Sequence, residues 1–181
     1  VSGAVATGNK FHKQYSRPNK DFDRVRVRAL LGENKVFSKQ VDDCVIRGMY
    51  DDLNVILIDG KKYTSLIELK TTNKPYLWSL DLQAAIKQLQ LYMYLLKDEL
   101  ERIEFPLWST GYVEIYSQRT GTLMKRVPVE YDYEIEDWIR KVINQFKGLE
   151  KVSPPPFYYC KKCYPEIKKR CDWFAIRSRK E

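Results

Sequence analysis

The sequence predicts an α/β chain, and three features carry that expectation. Several short runs alternate between apolar and polar residues, as strands with one covered face do. One long run, from Ser79 to about Glu101, instead repeats its apolar residues at helical spacing. Between two of the strand candidates lies Asp59-Gly60, the strongest short signal for a tight hairpin. The 181 residues, 44% hydrophobic and 31% charged, suffice for one core.

The elements follow in order. Val25 to Leu31 and Lys35 to Val41 alternate as strands, with Gly32-Glu33-Asn34 as the turn between them. Cys44 to Asp59, rich in Val, Ile and Leu in its second half, and Tyr63 to Thr71 form an antiparallel pair about Asp59-Gly60. In the helix, Leu82, Ala85, Ile86, Leu89, Met93 and Leu96 make the apolar stripe, and Ser79 can cap its N-terminus. Gly111 to Ser117 and Thr122 to Glu130 are strands about a turn at Thr120-Gly121, and Tyr133 to Leu149 is a closing helix. Pro154-Pro155-Pro156 then interrupts regular structure. The expected organisation is a core over 1–152 and a cysteine-bearing segment over 153–181.

Lys and Arg number 32 against 24 Asp and Glu, a net charge of +8, which favours an anionic partner such as nucleic acid. No run approaches the roughly 20 apolar residues that cross a bilayer. Val1 to Gly8 lacks the basic-then-apolar pattern of a secretory leader. The expectation is a soluble protein of the cytoplasm or another intracellular compartment, nucleoid, nucleus and mitochondrion included. A first residue that is Val rather than Met suggests an element upstream.

The chemistry concentrates on the hairpin. Counting outward from a type I′ turn at Asp59-Gly60 places Asp51 opposite Glu68, with Cβ atoms roughly 5 Å apart on one face. Lys70, two residues beyond, shares that face, whereas Asp52 falls opposite Ile67 and points away. Two carboxylates so close repel each other and lose hydration unless a cation sits between them, and Mg²⁺ suits an oxygen site of this kind. A neighbouring ammonium can orient water or hold charge on a phosphate, which together amounts to equipment for phosphodiester hydrolysis. The same residues also allow a solvated cross-strand salt-bridge cluster.

Four ordered elements bear on that choice: Gly8 with His12, Gly48-Met49-Tyr50-Asp51, Glu68-Leu69-Lys70-Thr71, and Gln88 with Tyr92. In this order the chain resembles the PD-(D/E)XK nuclease superfamily. Within it, the similarity is to the RecB-like branch that includes CRISPR adaptation nucleases and exonuclease V. The resemblance implies a restriction-endonuclease-like central mixed sheet flanked by helices. It implies Mg²⁺ or Mn²⁺ held by His12, Asp51, Glu68 and the Leu69 carbonyl, with Lys70 assisting and Gln88 and Tyr92 supporting the site from the helix. The expected activity is cleavage of DNA, as an exonuclease favouring single strands, in repair, recombination or CRISPR adaptation, alongside other DNA-processing proteins. A different class, a non-catalytic nucleic-acid-binding module, would bind DNA without metal-dependent turnover.

Cys160, Cys163 and Cys171 stand as C-x2-C-x7-C in a basic, aromatic tail. Clustered thiols in an intracellular chain suggest a metal rather than disulfides. Relatives in the RecB-like branch often hold a [4Fe-4S] cluster on four cysteines, three of them after the core. Here the only other cysteine is Cys44, inside a strand candidate. Either it closes the site, or the fourth ligand lies upstream, or no cluster forms; a small buried hydrophobe and a zinc site remain alternatives. The tail's lysines and aromatic rings can grip DNA or anchor the tail to the core.

Overall fold

The computed structural model describes residues 21–32, 35–74 and 79–147. Its first element corrects an expectation. Helix α1 (Phe22–Leu31) occupies the stretch whose Val/Arg alternation suggested a strand. The residues it buries are Arg24, Val27 and Leu31, a helical spacing that local alternation hides. Asp21 caps the helix, its carboxylate accepting from the N–H groups of Asp23 and Arg24. Gly32, at φ 87°, ends it by donating its N–H to the carbonyls of Arg28 and Ala29. The glycine expected in a hairpin turn is therefore a helix stop.

Strand β1 (Phe37–Val41) pairs antiparallel with β2 (Cys44–Gly48), Phe37 opposite Gly48 and Val41 opposite Cys44. Here lies the second correction. Cys44 to Asp59 is not one strand, because the chain leaves this two-stranded sheet after Gly48 and enters another at β3 (Asp52–Ile58). An apolar pattern of period two continues through such a switch, since both segments cover a core with one face.

Strand β3 returns through Asp59 (φ 49°) and Gly60 (φ 75°) into β4 (Lys61–Thr72), both turn residues being left-handed as a type I′ hairpin demands. Helix α2 (Ser79–Arg102) then crosses over to β5 (Thr110–Ser117), which runs parallel to β4. The expected cap by the Ser79 side chain lies outside the described residues. A turn at Gly121 (φ 69°) leads to β6 (Leu123–Glu130), antiparallel to β5. The order β3-β4-β5-β6 makes a mixed sheet, with helices flanking it. The last described helix is α3 (Ile135–Lys147).

Leu89, Met93 and Leu96 of α2 pack with Leu53, Leu66, Val113 and Ile115 of the sheet, all buried. Gly111 lets helix and sheet approach, because a Cβ there would stand 2.9 Å from the Leu66 carbonyl oxygen and 3.1 Å from the Leu89 side chain. The chain divides into two compact units inside α3, at Lys141–Val142; the sheets, α1 and α2 belong to the first. Among the described residues no helix is long and apolar enough to cross a membrane.

Candidate active site

The β3-β4 ladder runs up to the pair Asp52 and Ile67. Asp51 comes one residue before it, opposite Glu68, and its side chain takes over where the backbone ladder stops: Oδ2 accepts the Leu69 N–H at 2.9 Å. N–H and C=O of one strand residue point to the same edge, so the Leu69 carbonyl faces the edge that Asp51 occupies. Asp52 lies on the other face. There it pairs with Arg24 at 2.5 Å, both side chains almost wholly buried, while Arg24 Nε donates to the Leu53 carbonyl at 3.0 Å. Asp52 thereby ties α1 to β3. Arg24 lies one residue before the run Val25 to Leu31 that alternates as a strand, and its spacing to Val27 and Leu31 is the signal that places it on a helix face.

Glu68 is completely buried, and among the described residues neither carboxylate oxygen accepts a directed hydrogen bond. The Lys70 ammonium stands 2.5 Å from Oε1, close enough for an ion pair but not directed as a hydrogen bond. Burial pushes the Glu68 pKa up to about 8, and the adjacent Asp51 charge adds to the rise while Lys70 opposes it. An ionised carboxylate in this position is stripped of water and has the Lys70 ammonium against it.

Helix α2 completes the arrangement. Lys70 Nζ donates to Gln88 Oε1 at 3.0 Å, and Gln88 Nε2 donates to the Tyr92 hydroxyl at 2.6 Å. Gln88 and Tyr92 are one helical turn apart and so meet on one face. Burial chiefly raises the Tyr92 pKa, so the phenol stays protonated. Gly48, at the end of β2, makes room for the ring, since a Cβ there would sit 2.8 Å from a Tyr92 ring carbon. The glycine of the Gly48-to-Asp51 run therefore has a steric role that spacing did not disclose.

A divalent cation fits what is present. Two carboxylates and a backbone carbonyl are hard oxygen donors, and the Glu68 oxygens, which accept no directed hydrogen bond among the described residues, keep lone pairs for a cation. His12, Cys160, Cys163 and Cys171 lie outside the described residues. Cys44 is half-buried at the first residue of β2, with Sγ 3.8 Å from Asp43 Oδ1. Among the described residues no group of three or more His, Cys, Asp or Glu side chains gathers to hold a metal.

A family model described as the PD-(D/E)XK nuclease superfamily matches residues 5–172. The chain belongs to that superfamily, and its central mixed sheet flanked by helices is consistent with the restriction-endonuclease-like fold. Members are nucleases and typically use divalent metals such as Mg²⁺ or Mn²⁺. A solved structure described as the crystal structure of SSO0001 is similar at 18% identity and a TM-score of 0.43, over 77% of this chain. The chain spans 63% of the length of that one. No curated protein matches.

Proposed function

We propose that the chain is a divalent-metal-dependent deoxyribonuclease of the RecB-like branch, acting as an exonuclease on single-stranded DNA. The observation that carries the metal-dependent chemistry is Glu68, fully buried beside Asp51 with the Lys70 ammonium 2.5 Å from one of its oxygens. The ordered matches at His12, Asp51, Glu68-Leu69-Lys70 and Gln88-Tyr92 support the RecB-like placement. The preference for single strands rests on that placement too, and the net charge of +8 suits an anionic polymer.

Asp51, Glu68, the Leu69 carbonyl and His12 would hold Mg²⁺ or Mn²⁺. When bound, such an ion supplies Lewis-acid polarisation of a phosphoryl oxygen and acidifies water. Lys70 carries the positive charge that meets the phosphate as its negative charge concentrates. Gln88 fixes the ammonium, and Tyr92 fixes Gln88. Asp51 holds the Leu69 N–H, keeping the edge of β4 aligned.

We further propose that the core spans 1–152 and that 153–181 form a cysteine-bearing segment in which Cys160, Cys163 and Cys171 bind a [4Fe-4S] cluster or zinc. Cys44 is the candidate fourth ligand. Iron, sulfide and zinc analysis of the purified protein tests that assignment directly. The proposed setting is DNA repair, recombination or CRISPR adaptation inside the cell, with other DNA-processing proteins as partners.

The decisive experiment is incubation with end-labelled single- and double-stranded DNA, with and without Mg²⁺ or Mn²⁺. The expected result is metal-dependent release of short products from single strands, abolished in a folded Glu68→Ala variant. Full metal-dependent cutting by Glu68→Ala would overturn the proposal.

A further inference from the structure

A concavity lies beside α2, and none of Asp51, Glu68, Lys70, Gln88 and Tyr92 lines it. It encloses about 240 Å³ and takes its walls from three tyrosines, Tyr94, Tyr131 and Tyr133. Tyr133 is 80% exposed, yet it is held edge-on against Tyr131 with ring centroids 5.0 Å apart. A large ring left in water but fixed in orientation is a platform for another flat ring. Lys39 lies 4.4 Å from the centre of the Tyr94 ring, and Lys97 lies 5.4 Å from that of Tyr131. The cation sites over these two rings are thus filled from within.

The charges around the concavity cancel. Lys39 pairs with Asp98 at 2.7 Å, while Glu136 accepts from the Tyr94 hydroxyl at 2.9 Å and from Arg140 at 2.7 Å. The two lining ammonium groups face two lining carboxylates, and Arg140 beside Glu136 is paired in turn with Asp42, so the formal charges balance and exert little net pull on a phosphate. Carboxylates accept hydrogen bonds from the amino groups of bases, and lysines donate to base carbonyl and ring acceptors. Aromatic walls with balanced donors and acceptors match a nucleobase better than its phosphate. The volume is below the roughly 300–1,000 Å³ usual for larger ligands, in keeping with a single ring system.

We infer that this concavity, walled by Tyr94, Tyr131 and Tyr133, binds one unpaired nucleobase of a DNA strand at a distance from the cleavage centre. The inference rests on the proposed action on single-stranded DNA. At roughly 100° per residue, Tyr94 projects from nearly the opposite side of α2 to Tyr92. The β1-β2 hairpin bridges the two sides, since Gly48 of β2 meets Tyr92 and Leu95 while Lys39 of β1 meets Tyr94 and Asp98. A strand engaged at Glu68 would pass that hairpin to place a base against Tyr133. Such an anchor favours substrates with several unpaired nucleotides beyond the cut.

The test is fluorescence anisotropy with a labelled single-stranded oligonucleotide and EDTA, comparing the full chain with its Tyr133→Ala and Tyr133→Trp variants. Tyr133→Ala should bind roughly tenfold or more weakly, Tyr133→Trp should restore affinity, and the slope of binding against salt should not change. An oligonucleotide made wholly of abasic sites should bind both wild type and Tyr133→Ala equally. Unchanged affinity of Tyr133→Ala for the normal strand overturns the inference, as does an equal loss with the abasic strand. Metal-dependent cleavage with binding indifferent to Tyr133 would leave the nuclease proposal standing alone. Tyr133-dependent binding with no cleavage in Mg²⁺ or Mn²⁺ would do the reverse.

Discussion

At Glu68 the fold buries a carboxyl group whose charge the Lys70 ammonium offsets only in part. Its pKa moves from the ordinary 4.5 to about 8, mainly through burial and then through Asp51. Between those values the folded state retains a proton that the unfolded chain releases, so stability falls as pH rises. The decline should begin above about 4.5 and level off above about 8. Denaturant unfolding of metal-free protein across this range measures it, and Glu68→Gln should flatten that part of the profile. Lys70→Ala should lower single-turnover cleavage roughly 100- to 1,000-fold. Gln88→Ala, which releases the ammonium without removing it, should cost roughly 10- to 100-fold. Equal cleavage by Lys70→Ala and wild type would remove Lys70 from the chemistry.

Among the elements, α1 and β2 show how supporting structure reaches the site. Asp52→Ala would leave Arg24 buried without its closest carboxylate and should destabilise the fold by about 3–5 kcal/mol in denaturant titration. Gly48→Ala should cost about 1–3 kcal/mol, because its Cβ would press on the Tyr92 ring. It should also slow cleavage by disturbing the Tyr92-Gln88-Lys70 chain, which a stability effect alone would not do at saturating substrate and low temperature. The element boundaries around the hairpin were legible because Asp59-Gly60 encodes a left-handed turn locally. The boundaries of α1 were not: Arg24, Val25, Arg26, Val27 and Arg28 alternate as a strand would. Only burial of Arg24 against Asp52 shows which period the fold uses.

For the whole molecule, the excess of basic residues predicts strong salt dependence. The logarithm of the binding constant for single-stranded DNA should fall linearly with the logarithm of salt concentration, by about 0.7 for each phosphate contacted. Anisotropy at several salt concentrations measures the slope; a flat response would count against binding through phosphates. The Tyr133 concavity should contribute affinity without adding to that slope, since its lysines and carboxylates balance.

The sequence alone determines the turn at Asp59-Gly60, the opposition of Asp51 to Glu68, and the shared face of Gln88 and Tyr92. Each follows from turn chemistry or from the period of a strand or helix, which act over a few residues. The tertiary structure decided that Phe22–Leu31 is helical, that the chain changes sheets between Gly48 and Asp52, and that Glu68 loses its water. Those outcomes depend on contacts between segments far apart in the chain. Helical spacing marks Arg24 as inward-facing, but nothing local names Asp52 as its partner or Tyr92 as the ring that Gly48 admits, because those contacts belong to the packed molecule.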